Sequence, residues 1–247
     1  MSTWVLLRGL MRESRHWGAF PARFQREMSA PVVTVDFPGN GGLYKLKSAS
    51  RVEEMVEHAR VQLRQLGHAP PYRVLALSLG AMVAEAWSEM YVEELEKMVL
   101  INTSLAPYNP FYQRLRPKNY VALLSLFHGP ASRREALILR LTSNLRHTED
   151  LHETLQQWVA YAGECPISNA NILRQLVAAM RYRAASTAPQ VATLLLAGEQ
   201  DQLVNVKCSL ILAQHWHCAI RLHPAAGHDL PLDDGVWVAQ QVKEWLA

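Results

Sequence analysis

Six short apolar runs, at residues 4–7, 32–36, 72–77, 97–101, 191–197 and 219–222, recur along the chain, and helical spacing of apolar residues fills most of the gaps between them. Runs that are apolar at successive positions are strands buried on both faces. Strands alternating with helices, here expected at 20–28, 52–66, 81–91, 206–216 and 235–245, demand a parallel sheet with right-handed crossovers. The expected fold class is therefore α/β, a mostly parallel six-stranded sheet with helices on both faces. One connection breaks the rhythm, because the stretch from 101 to 191 is far too long for a simple crossover. Helix-like spacing at 119–127, 132–145, 148–161 and 169–182 makes it an inserted α-helical cap, 105–187, on a core formed by 1–104 and 188–247.

The third run leads through Ala76-Leu77-Ser78-Leu79-Gly80 into an alanine-rich helix. A serine on a sharp strand-to-helix turn is exposed, and the helix N-terminus favours negative charge developing beside it. Such a turn brings the residues two before and two after the serine together, so both must be small, as Ala76 and Gly80 are.

A neutral hydroxyl is a poor nucleophile without a base and an acid that orients the base. Asp201 follows the fifth run in Gly198-Glu199-Gln200-Asp201, and His228 follows the sixth in Ala225-Ala226-Gly227-His228. In an open parallel sheet the carboxyl ends of the strands share one edge, so Ser78, Asp201 and His228 would project into one crevice. His223 is a rival base that lies closer to its strand, and Glu199 is a rival acid. Asp229, Asp233 and Asp234 read as helix-start residues, and the loop after the fourth run, Asn102-Thr103-Ser104, holds no carboxylate.

The elbow, the Gly198-x-x-Asp201-x-Leu203-Val204 segment and Ala226-Gly227-His228-Asp229, in the order Ser, Asp, His, resemble the α/β-hydrolase superfamily over nearly the whole chain. The resemblance implies an oxyanion hole from the backbone N–H groups of Leu10 and Leu79. It also places the cap helices over the carboxyl edge, where caps close the pocket and select substrates. Arg8 stands where the superfamily commonly has histidine. It reads either as a residue tying down its loop or as a cation lining the pocket, and Arg12 and Trp17 on the same loop could also reach the cleft. From the cap, Phe111, Tyr120 and Phe127 are candidate lining residues of an acyl pocket.

The chain is similar to small cytoplasmic carboxylesterases, which implies hydrolysis of a carboxylic ester or thioester of a small or medium acyl group through an acyl-enzyme. The same architecture also serves carbon–carbon bond hydrolases and a lyase acting on anionic substrates, with Arg8, Arg12 or cap arginines meeting the substrate, and a few non-catalytic ligand-binding members. The cap holds ten Lys and Arg (Arg114, Arg116, Lys118, Arg133, Arg134, Arg140, Arg146, Arg174, Arg181, Arg183) against five Asp and Glu (Glu135, Glu149, Asp150, Glu153, Glu164). That skew would suit an acidic substrate or an acidic carrier protein.

Elsewhere the sequence mainly excludes. A net charge of +3 without a Lys/Arg-rich run interleaved with aromatics speaks against nucleic acid. Cys165, Cys208 and Cys218 fit no metal or disulfide spacing, and neither a metal nor an organic cofactor is called for. No charged leader with a long apolar run precedes the first strand and no membrane span is present, so the expected location is cytoplasmic.

Overall fold

The computed structural model describes residues 2–145 and 148–247, which leaves Arg146 of the basic set outside the described residues. Strands β1 (Trp4–Leu7), β2 (Val32–Val35), β3 (Tyr72–Leu77), β4 (Leu95–Ile101), β5 (Ala192–Gly198) and β6 (Ala219–His223) form one sheet in the order β2-β1-β3-β4-β5-β6. Every neighbouring pair is parallel. The chain steps from β1 to β2 in one direction and then from β3 onward in the other, so the order reverses between β1 and β3. Loops diverge at such a point and leave a crevice at the strands' carboxyl ends.

Alternation along each strand divides the core in two. Trp4, Leu6, Leu75, Leu77, Val99, Ile101, Leu194 and Leu196 face α1 (Phe20–Met28) and α10 (Leu230–Leu246). Val5, Leu7, Val74, Ala76, Met98, Leu100 and Leu195 face α2 (Val52–Gln65), α3 (Leu79–Met90) and α9 (Lys207–Trp216). Both faces are therefore covered, which is why the strands read as unbroken apolar runs.

Between β4 and β5 lie α4 (Phe111–Arg114), α5 (Tyr120–Leu124), α6 (Ala131–Thr142), α7 (Thr148–Glu164) and α8 (Asn169–Arg181). Leu126 and Ile172 of this stretch share a small apolar cluster with Met11, from the loop after β1, so the inserted helices rest on the carboxyl edge of the sheet. Several bounds differ from the expected ones for identifiable reasons. The expected 132–145 helix stops at Thr142 because Asp233 accepts from the Ser143 hydroxyl at 2.6 Å and the Asn144 amide at 3.0 Å. The last helix begins at Leu230 instead of 235, with Pro231 in its first turn and a break at Asp234 (φ −154°). The four-residue α4 is too short to leave a periodic signal.

The end of the insert is tied to α3 by a buried pair, in which the Tyr182 hydroxyl donates to Glu85 Oε2. Burial, reinforced by the nearby Glu89, pushes the Glu85 carboxyl up to about 9. A carboxyl whose folded pKa lies above its unfolded value contributes stability that is full below the unfolded value and is lost as pH rises through the folded one. Glu85→Gln keeps an acceptor for Tyr182 and cannot ionise. Thermal unfolding from pH 5 to pH 10 should therefore show the variant gaining on wild type as pH rises; parallel curves would contradict the assignment.

Candidate active site

Ser78 follows β3 directly and adopts φ 56°, ψ −113°, a backbone conformation that non-glycine residues seldom hold. Its amide still donates to the Ile101 carbonyl at 3.0 Å, so the sheet ladder extends to the turn, and α3 starts at the next residue. The small flanks have a measurable cause on the helix side: a β-carbon on Gly80 would sit 2.4 Å from the Leu7 carbonyl oxygen and 2.7 Å from that of Arg8. Gly9 is confined more mildly, with its virtual β-carbon 3.3 Å from Ser78 Cβ. The turn after β3 and the loop after β1 therefore pack backbone to backbone, and Leu10, Ser78 and Leu79 line one cavity.

Asp201 and His228 meet as expected. Asp201 Oδ2 lies 2.7 Å from His228 Nδ1, and its Oδ1 accepts from the amides of Leu203 at 2.7 Å and Val204 at 2.9 Å. Both side chains are buried. The Leu203–Val204 amides orient the carboxylate, which leaves Nε2 as the imidazole nitrogen not engaged by Asp201. His228 and Ser78 line the same cavity. Burial opposes the charged imidazole, but the Asp201 carboxylate outweighs it and holds His228 above the ordinary histidine value. The rival base is occupied elsewhere: His223 Nδ1 accepts from the Ala226 amide at 2.8 Å, and its Nε2 faces Asp234 at 3.3 Å.

Two residues whose long-range partners the sequence does not announce hold these loops together. Asn102, after β4 at φ 46°, donates through Nδ2 to the carbonyls of Gly227 (3.0 Å) and His228 (2.7 Å) and accepts the Gly198 amide at 2.9 Å. One buried amide thus clamps the loop bearing His228 to the strand that delivers Asp201. Asp229 does stand at the start of α10, but its side chain makes no capping bond there; its carboxylate takes a two-point ion pair from Arg8, at 3.0 and 2.5 Å, with both side chains almost fully buried. A polar residue at the left-handed position after a strand was the available signal for Asn102. An arginine beside a buried glycine loop was the signal for Asp229.

The expected lining residues divide. Phe111 and Tyr120 line a cavity of about 390 Å³ that reaches Ser78, together with Met82, Leu115, Leu176, Met180 and Arg114. Arg8 and Arg12 line a smaller one of about 80 Å³ beside His228, but neither is a free cation. Arg12 pairs with Glu135 at 2.7 Å and lies over Trp158. Trp17 and Phe127 line neither cavity, which corrects their assignment. Trp17 is buried under the Arg8 guanidinium and stacked on Phe20, and Phe127 packs into the apolar cluster around Leu126 and Ile172.

Because Arg8 and Asp229 are buried, Arg8→Met strands a carboxylate and should cost about 3–5 kcal/mol in urea unfolding, with most of it recovered in Arg8→Met/Asp229→Leu. Equal stability of wild type and the single variant would show that the pair is solvated.

The model of the alpha/beta hydrolase family matches residues 4–241. No curated protein sequence matches the chain. Among solved structures, a thermophilic esterase from Thermogutta terrifontis is similar at 21% identity and TM-score 0.77, over 100% of this chain and 89% of that one. A hydrolase from Pseudomonas aeruginosa is similar at 18% identity and TM-score 0.78, over 100% and 90%. A 2-hydroxy-6-oxo-6-phenylhexa-2,4-dienoate hydrolase from Rhodococcus sp. strain RHA1 follows at 16% identity and TM-score 0.76, over 100% and 91%. At these identities the likeness is one of fold, and with a family match spanning nearly the whole length, the chain belongs to the alpha/beta hydrolase family.

Proposed function

We propose that the chain is a serine hydrolase that cleaves a carboxylic ester or thioester of a small or medium acyl group. The observation that carries the reading is the convergence of a strained Ser78 with a buried His228–Asp201 pair on one cavity at the carboxyl edge of the sheet. His228 Nε2 takes the Ser78 proton, and Ser78 Oγ attacks the substrate carbonyl carbon. The tetrahedral oxyanion is met by the N–H groups of Leu10 and Leu79, a stabilisation commonly worth about 3–4 kcal/mol per donor. Asp201 stabilises the imidazolium, which then protonates the leaving alcohol or thiol. Water, deprotonated by the same nitrogen, releases the acid from the acyl-enzyme.

Residues 105–187 act in this reading as the cap of a core formed by 1–104 and 188–247. The larger cavity takes the acyl chain and the smaller one the leaving group. Carbon–carbon cleavage of an anionic substrate loses support at Arg8 and Arg12, whose charges are already neutralised by Asp229 and Glu135.

The test is release of p-nitrophenol from short and medium acyl esters. Ser78→Ala should lower turnover by roughly 10⁴-fold or more; turnover unchanged by the substitution would overturn the reading. Because His228 must be neutral to act as base, kcat/KM should rise with pH through an inflection above the ordinary histidine value of 6.5. Asp201→Asn removes the charge that outweighs burial, so the inflection should move down and the plateau should drop steeply.

A further inference from the structure

Arginines around the site are paired with acids wherever they are deeply buried. Arg8 has Asp229, and Arg12 has Glu135. Arg114, which is half-buried, has no such acid partner among the described residues. It is the single charged side chain lining the larger cavity, and the rest of that wall is apolar except for Ser78, Ser104 and the Tyr120 hydroxyl. Its Nη2 donates to the Ala179 carbonyl at 2.7 Å, which fixes the guanidinium against α8. Its Nε is buried with no partner, and no ion pair to Arg114 forms among the described residues. Burial, with Arg183 nearby adding to it, works against the charge. A planar guanidinium presents five N–H donors, so this one is held in place with capacity unspent.

The surroundings share the same bias. The two stretches that bring α4, α5 and α8 to the cavity, 105–130 and 165–187, contain Arg114, Arg116, Lys118, Arg174, Arg181 and Arg183 and not one Asp or Glu. All five acids of the insert fall between 135 and 164. Phe111 and Met180, at the cavity wall, are themselves 73% and 75% exposed, so the apolar lining continues out to solvent. A largely apolar cavity that holds Ser78 and one guanidinium without an ion pair, and no carboxylate, matches a ligand that is apolar over most of its length and carries an anionic group.

We infer that the preferred substrate is an acyl ester whose chain ends in an anionic group, a carboxylate being the simplest, with Arg114 as the residue that receives it. This rests on the hydrolase reading and specifies its substrate class. Arg114 here is a binding residue at the far end of the chain from Ser78.

The experiment compares two eight-carbon aryl esters that differ only at the end of the chain, mono-p-nitrophenyl suberate and p-nitrophenyl octanoate. Wild type should favour the suberate ester in kcat/KM by about tenfold or more, mostly through KM. Arg114→Gln should erase that preference, and Arg114→Lys should retain most of it. Gln and Lys variants that behave alike, as loss of the Ala179 contact alone would make them, would overturn the inference, and so would a wild-type preference for octanoate. If neither ester is hydrolysed, the hydrolase reading fails and calorimetric binding of suberate itself decides this one. Binding weakened by Arg114→Gln supports the anion site, and equal or absent binding refutes it.

Discussion

How closely backbone can approach backbone governs the carboxyl edge of this sheet. A β-carbon on Gly80 would meet the Leu7 carbonyl oxygen at 2.4 Å, and one on Gly198 would meet those of Ala226 and Gly227 at 2.3 and 2.5 Å. The first contact presses the serine turn against the loop that holds Leu10; the second presses the loop of His228 against the strand that delivers Asp201. Removing either glycine would separate elements whose side chains must meet within hydrogen-bond reach. Strain is concentrated at the same edge, where Ser78 and Asn102 both hold positive φ. The core beneath, apolar on both faces of the sheet, supplies the burial that keeps these conformations occupied.

The groups that join the strand ends are buried in matched sets. Asp201 spends its oxygens on two backbone amides and His228; Asn102 uses both ends of its amide on the two loops; Arg8 closes on Asp229. Each set joins a different pair of strand ends, so the base, the acid and the turn bearing Ser78 are positioned by mutually supporting contacts. Satisfied networks of this kind rigidify a site, while removing one member leaves a buried group unpaired. Arg114 differs from Arg8 and Arg12 in lining the larger cavity with no acid paired to it among the described residues.

Much of this was legible in the sequence. Strand positions follow from unbroken apolar runs, and the convergence of Ser78, Asp201 and His228 follows from their places just past strand ends in a parallel sheet. What escaped was of another kind. Asn102 bonds to residues 96 to 126 positions away, and no local pattern announces which distant carbonyls an asparagine will find. Asp229 is legible as a helix start, which it is, but only the fold brings Arg8 to it. Trp17 and Phe127 were misjudged because an aromatic near a cleft and one packed beneath it have the same local sequence. The cavity at Arg114 depends on helices as short as four residues, below the reach of periodicity.

The most direct measurement of the central claim is the site of covalent capture by a fluorophosphonate, read by mass spectrometry of the intact protein and its peptides. The account predicts one adduct, on Ser78, formed much more slowly in His228→Ala and absent in Ser78→Ala. Labelling of a different residue, or labelling of Ser78 at the same rate without His228, would contradict it.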